Sequence, residues 1–117
     1  MISTLEVVYV TIANGASLSN AASTDSRSLV GVIMPAAWTA ASLTFQAGGW
    51  PPSGAAFGNV QNATVEVVYV ADASQYIAID PLYFLGAPQV KVRSGTGASP
   101  VNQGAERVLG LVFRTVA

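Results

Sequence analysis

The residues able to carry out chemistry are few in this chain, and what is missing narrows the choices first. Histidine and cysteine are absent, which removes the usual acid–base group near neutral pH, the commonest metal ligand and the sulfur nucleophile. A nucleophile would have to be a serine, a threonine or a carboxylate, with Lys91 as the lone lysine base. Glu6, Asp25, Glu66, Asp72, Asp80 and Glu106 are the carboxylates. Hydrolysis by paired carboxylates needs two of them facing one bond, and their spacing proposes no such pair. Asp72 and Asp80 read as strand-end and turn residues. The stretch "SGTGASP" (Ser94–Pro100) lacks the lysine-containing ending and following helix of a phosphate loop, so it reads as a turn. Calcium ligands should cluster, and these acids are scattered. "NAT" at Asn62–Thr64 matches a glycosylation acceptor without a secretory signal before it. The expectation is a protein that is not an enzyme, with no catalytic or metal residues and no cofactor. A small hydrolase is the minor alternative.

What remains are groups that bind. Trp38, Trp50 and Phe57 are large aromatics in an otherwise small-residue chain, and aromatics are typical interface anchors. Arg27, Arg93, Arg107 and Arg114 need partners if they are buried, with Glu106, Asp80 and Asp25 as candidates. "VNQGAER" places the neutral hydrogen-bonding groups of Asn102 and Gln103 beside Arg107. Candidate interface residues are therefore Trp38, Trp50, Phe57, Arg93, Asn102, Gln103 and Arg107. A competing reading makes Trp38, Trp50, Tyr83 or Phe57 a stacking platform for a sugar ring.

Composition agrees with a packing role. Charged residues make 9% of the 117, against roughly 25% in ordinary soluble domains. Net charge is −1, so no basic footprint for nucleic acid exists. From Ser28 to Val65 no side chain is charged. A domain of this size exposes on the order of 6,000 Å², an area that so few charges cannot dominate. Such a surface loses little on desolvation, which suits a subunit packed against others. The longest apolar run, Leu29 to Trp38, holds Gly31 and Pro35 and is far shorter than the ~20 residues of a spanning helix. "MISTLEVVYV" has no basic n-region or cleavage site. No membrane role is expected.

The elements that must position these groups are short β-branched and aromatic runs separated by Gly, Pro, Asn and Ser, which reads as all-β. Expected strands are Leu5–Ile12, Ser28–Met34, Ser42–Ala47, Thr64–Val70, Tyr76–Ile79, Gln89–Arg93 and Arg107–Val116. In "QVKVRSG" Val90 and Val92 alternate with Lys91 and Arg93, the period of a half-buried strand. "LVGVIM" and "LEVVYVTI" are apolar on both faces, as in an inner strand or one covered by a neighbouring subunit. Gly110 interrupts the last strand and marks a bulge or a close approach. "NGAS" at Asn14–Ser17 is turn chemistry, and "PAAWTAAS" is the only candidate helical turn. "EVVYV" at Glu6–Val10 returns at Glu66–Val70, which suggests similar strands in equivalent sheet positions. Residues 48–62 hold two prolines and four glycines and read as one long loop. The expected architecture is one domain over residues 1–117, a mostly antiparallel, jelly-roll-like β-sandwich.

Two segments, "RSLVGVIMPAAWTAASLTFQA" and "QYIAIDPLYFLGAPQVKVRSGTGASPVNQGAERVLGLVFR", resemble a group of small virion proteins encoded in the head-gene region of tailed bacteriophages and prophages. The shared blocks cover Leu29–Ala47 and Tyr76–Val112, about half the chain, and none of them is a chemical motif. The resemblance implies a β-sandwich head protein, a decoration or cement subunit on the outer surface of the phage head. Its implied partner is the major capsid protein, and it would be assembled in the bacterial host cytoplasm. Homo-oligomers are expected, a trimer first. A carbohydrate- or receptor-binding virion module and a tail-associated subunit are the alternatives. Relatives continue after "LTFQAS" into a short hairpin with a "DG" turn, where this chain has "GGWPPSGAAFGNVQNATVEVVYV".

Overall fold

A computed structural model of the chain describes residues 3–51 and 56–116. Its strands are β1 (Ser3–Ile12), β2 (Ala22–Ser23), β3 (Arg27–Ile33), β4 (Leu43–Gly48), β5 (Phe57–Asn59), β6 (Gln61–Asn62), β7 (Val65–Glu66), β8 (Tyr76–Ala78), β9 (Gln89–Ser94) and β10 (Arg107–Val116). They form one four-stranded sheet ordered β1-β10-β3-β8, a second ordered β2-β9-β4-β5, and the small hairpin β6-β7. Every pairing among them is antiparallel. With the β6-β7 hairpin set aside as an insertion, one sheet runs first, last, third, sixth and the other second, seventh, fourth, fifth. That order is the jelly roll, two Greek keys folded into a sandwich.

Strand periodicity builds the core. On β10, Leu109, Leu111 and Phe113 point inward; on β1, Val10 and Ile12 do so; Leu29 and Val32 join them from β3, all at most 1% exposed. Leu43, Phe45, Val90 and Val92 answer from the second sheet, fully buried. Phe45 meets Phe84 edge-on at 5.0 Å and Tyr69 at 6.1 Å, an arrangement that aromatic quadrupoles favour. Phe84 arrives on a single 3-10 turn, Pro81–Phe84, started by Asp80 as N-cap and by proline in its first turn.

Four expectations change. The 3-10 turn forms at "DPLYF", not at "PAAWTAAS", which is irregular; the cap-plus-proline pair was the signal. The expected strand Thr64–Val70 shortens to β7, after which Tyr69 exchanges backbone hydrogen bonds with Leu43 at 2.8 and 2.9 Å. The two "EVVYV" runs are not equivalent, because the first lies in β1 while the second crosses from β7 to the edge of β4. The expected 48–62 loop contains β5 and β6. From Ala56 onward each residue has an N–H to donate, and Gly48 lacks the Cβ that would lie 2.7 Å from the Phe57 ring. Residues 52–55 of that loop lie outside the described residues.

Candidate functional site

Of the candidate side chains, Arg93 and Gln103 are buried, Arg107 is half-buried, Asn102 is exposed, and the aromatic ones divide. Arg93 sits on the outer face of the second sheet yet is only 6% exposed, because hairpin β6-β7 and the Gly95–Pro100 turn close over it. Its Nε donates to Thr44 Oγ1 at 3.0 Å and its guanidinium pairs with the Glu66 carboxylate. The Thr44 hydroxyl donates to the Gly95 carbonyl at 2.7 Å, and the Gly97 N–H donates to Glu66 at 3.0 Å. Every member of the cluster is hydrogen-bonded, the condition under which a buried ion pair is tolerated. It staples the hairpin and the turn to β4 and β9.

A second polar knot forms around Gln103, 1% exposed. Its amide nitrogen donates to the Thr39 carbonyl at 3.0 Å and to Ser94 Oγ at 2.6 Å. Its amide oxygen accepts from the Thr39 N–H at 2.8 Å and from Arg107 Nε at 3.1 Å. Gln103 and Arg107 are thus brought together, while Asn102, next to Gln103 in the chain, is exposed. Arg27 pairs with Glu6 at 2.8 Å and lies 4.5 Å above the Phe113 ring. The arginine partners are therefore Glu6 and Glu66 rather than Glu106, Asp80 or Asp25. The pairing follows from topology, hairpin β6-β7 bringing Glu66 to β9 and β10 holding β1 and β3 on its two sides, and sequence distance carries no signal of it.

Trp38 packs half-buried against the core and donates its indole N–H to the Ala41 carbonyl at 3.0 Å. Phe57 lies on β5 with the Lys91 ammonium 4.3 Å from its ring centre. Trp50 remains 47% exposed, held by an N–H donation to the Gly86 carbonyl at 2.8 Å. It shares an open cleft of about 300 Å³ with Tyr83, Asn59 and Gln61. A neighbouring groove of about 490 Å³ is lined by Val65, Val68, Tyr69 and Tyr83. Burial pushes the Tyr69 phenol above its ordinary value, and the nearby Asp80 carboxylate adds to this; the Asp80 N–H donated to its oxygen works the other way.

The candidate residues named from sequence leave out an extensive surface feature, much of it on strands that the sequence shows to be apolar on both faces. Leu5, Val7, Tyr9, Ile33, Tyr76 and Val108 are all exposed, and all lie on the outer face of sheet β1-β10-β3-β8. Because β1 is apolar on both faces, its sequence does not tell which one looks outward. A second apolar group of comparable extent, Val65, Val68, Val70, Leu82 and Leu85, is exposed around hairpin β6-β7 and the 3-10 turn.

Four of the six carboxylates serve the fold: Glu6 and Glu66 pair with arginines, Asp80 caps its turn, and Asp72 accepts from the Ala73 N–H. Among the described residues no group of three or more acidic side chains is placed to hold a metal ion. The molecule is thus a jelly-roll domain whose polar groups brace loops and whose sheet β1-β10-β3-β8 has an apolar outer face. No protein-family model and no curated protein matches the sequence. The crystal structure of the SPBc2 prophage-derived protein YomS is similar, with a TM-score of 0.56 over 98% of each chain at 13% identity. At that identity the likeness shows a shared fold.

Proposed function

We propose that this chain is a structural, non-enzymatic subunit of a tailed-phage particle that decorates the outer surface of the head, binds the major capsid protein and self-associates. The observation that carries the reading is the division of labour among side chains. Arg93, Glu66, Gln103 and Arg107 are consumed as internal braces, and what faces outward is mainly neutral and apolar. Such a surface is suited to packing and poor in chemistry. The likeness to a prophage-derived protein supports a phage setting, as does the resemblance of Leu29–Ala47 and Tyr76–Val112 to phage head proteins.

Shell contact falls in this reading to the end carrying hairpin β6-β7 and the 3-10 turn, where Val70 and Leu82 are 90% and 72% exposed. A subunit that binds only the assembled shell stabilises it by mass action, RT ln(1 + [L]/Kd) per site, and many sites on one particle add through avidity. Particles of the parent phage, prepared with and without the chain, should differ in melting temperature. Equal melting, or labelling of the chain on tails and not on heads, refutes head decoration.

The Trp50–Tyr83 cleft favours a second reading, in which aromatic faces and the Asn59 and Gln61 amides hold a sugar of a cell-surface glycan. Saturation-transfer NMR against a glycan panel, repeated with Trp50→Ala, tests it. Its signature is a signal that the substitution abolishes.

A further inference from the structure

We infer that the outer face of sheet β1-β10-β3-β8 is buried against the same face of another copy of this chain. Register places Val7 beside Val112, Tyr9 beside Gly110, and Gly110 beside Ile33, which pairs in turn with Tyr76. Leu5 and Val108 extend the row at its two ends. The six large side chains are 39% to 65% exposed and together present on the order of 600 Å², close to the ~800 Å² that each partner gives to a standard-size interface. That exposed area is at the top of the ~300–600 Å² range of the largest apolar patch on a typical monomer, and such patches are often functional.

The face is also level. A Cβ at Gly31 would lie 2.1 Å from the Tyr76 hydroxyl, so glycine there lets the ring lie flat on the sheet, its hydroxyl 3.3 Å from the Val30 carbonyl. A Cβ at Gly110 would lie 3.1 Å from Val7 and 3.3 Å from Ile33. Those two side chains therefore close over the central strand. A level sheet face meets another sheet at about 10 Å, aligned or crossed, and needs no deep pocket.

Charge identifies the occupant. Among the described residues the one charged side chain on this face is Arg114, at its end; neighbouring Glu6 points the other way, to Arg27. An ordinary soluble chain is roughly one-quarter charged residues, which lie mostly at its surface, and those charges would be desolvated here. This chain's own face brings no such cost, and a self-complementary patch is what an isologous contact requires. The inference deepens the self-association in the function proposed above. Its test uses purified chain alone, so failure here leaves shell binding to be judged on particles.

Light scattering coupled to size exclusion should give a multiple of the 12.0 kDa chain mass. Val7→Lys and Tyr9→Lys should each weaken association at least tenfold and release a folded monomer with an unchanged circular dichroism spectrum. Wild-type chain that stays at 12.0 kDa when concentrated, or variants that associate as before, would overturn the inference. Hydrogen exchange of the wild-type chain at low and high concentration reads the same surface without substitution. Protection gained on concentration should fall on β1, β10, β3 and β8, and protection confined to the second sheet would equally overturn it.

Discussion

Arg93 and Glu66 show why single residues here act on the fold rather than on a ligand. Both are largely withdrawn from water, with side chains 8% and 16% exposed. Removing one partner leaves the other charge buried, which is costlier than losing the attraction. Glu66→Ala should therefore lower unfolding free energy by about 3 kcal/mol, near the lower end for broken buried pairs, and free the Gly97 N–H as well. Urea denaturation measures it; a loss under about 1 kcal/mol would mean that the pair behaves as a surface ion pair. Tyr69 makes a pH prediction whose sign follows from its raised pKa. The folded state holds the phenol neutral, so its contribution is complete below the ordinary value of 10.0 and declines as pH rises past it. Tyr69→Phe should flatten that alkaline decline in denaturation midpoint while leaving the neutral-pH slope unchanged. A decline of the same steepness in both proteins would assign it to other groups.

At the scale of elements, two turns carry the same backbone demand with different surroundings. Gly15 and Gly95 both have positive φ, +81° and +88°. Nothing lies within 4 Å of a Cβ at Gly15, whereas at Gly95 it would meet the Ser99 carbonyl oxygen at 2.5 Å and the Val101 nitrogen at 2.7 Å. Gly15→Ala should cost about 1 kcal/mol, the left-handed penalty alone; Gly95→Ala should cost about 3 kcal/mol or more, because backbone must move as well. Equal costs in thermal melts would show that the Ser94–Pro100 turn yields. Both glycines were legible as turn residues in "NGAS" and "SGTGASP", but the crowding at Gly95 comes from its bridge to Pro100, which is a matter of closure. The same distinction runs through the fold. Long strands such as β1, β3, β9 and β10 declare themselves by apolar runs and period two. Two-residue pieces such as β2 and β6 are defined by what they lie beside. For the candidate site, residue type found Arg93, Gln103 and Arg107, yet only the packing of loops around them decides that they act as braces. Trp38 and Trp50 are alike in sequence and part company because Trp38 precedes β4 over the core while Trp50 follows it at the rim.

The whole molecule is two-sided, and its behaviour in solution should report that. The second sheet is covered outside by polar groups and loops, with Lys91 over Phe57 and Arg93 under the Gly95–Pro100 turn. The first sheet offers a nearly uncharged outer face. Salt separates the contributions of the two sides to association. At 0.1 M ionic strength the screening length is about 10 Å and at 1 M about 3 Å, so contacts made through charges weaken steeply over that range. Apolar contacts do not, and sulfate strengthens them by exclusion from exposed surface. Self-association through the first sheet should thus be unchanged between 0.1 and 1 M sodium chloride and tighter in ammonium sulfate. It should loosen on cooling, as the hydrophobic driving force falls. Sedimentation equilibrium across those conditions reads all three trends. A dissociation constant that rises tenfold in 1 M sodium chloride would place the contact on the second sheet instead, around Lys91, and leave the apolar face for the capsid shell.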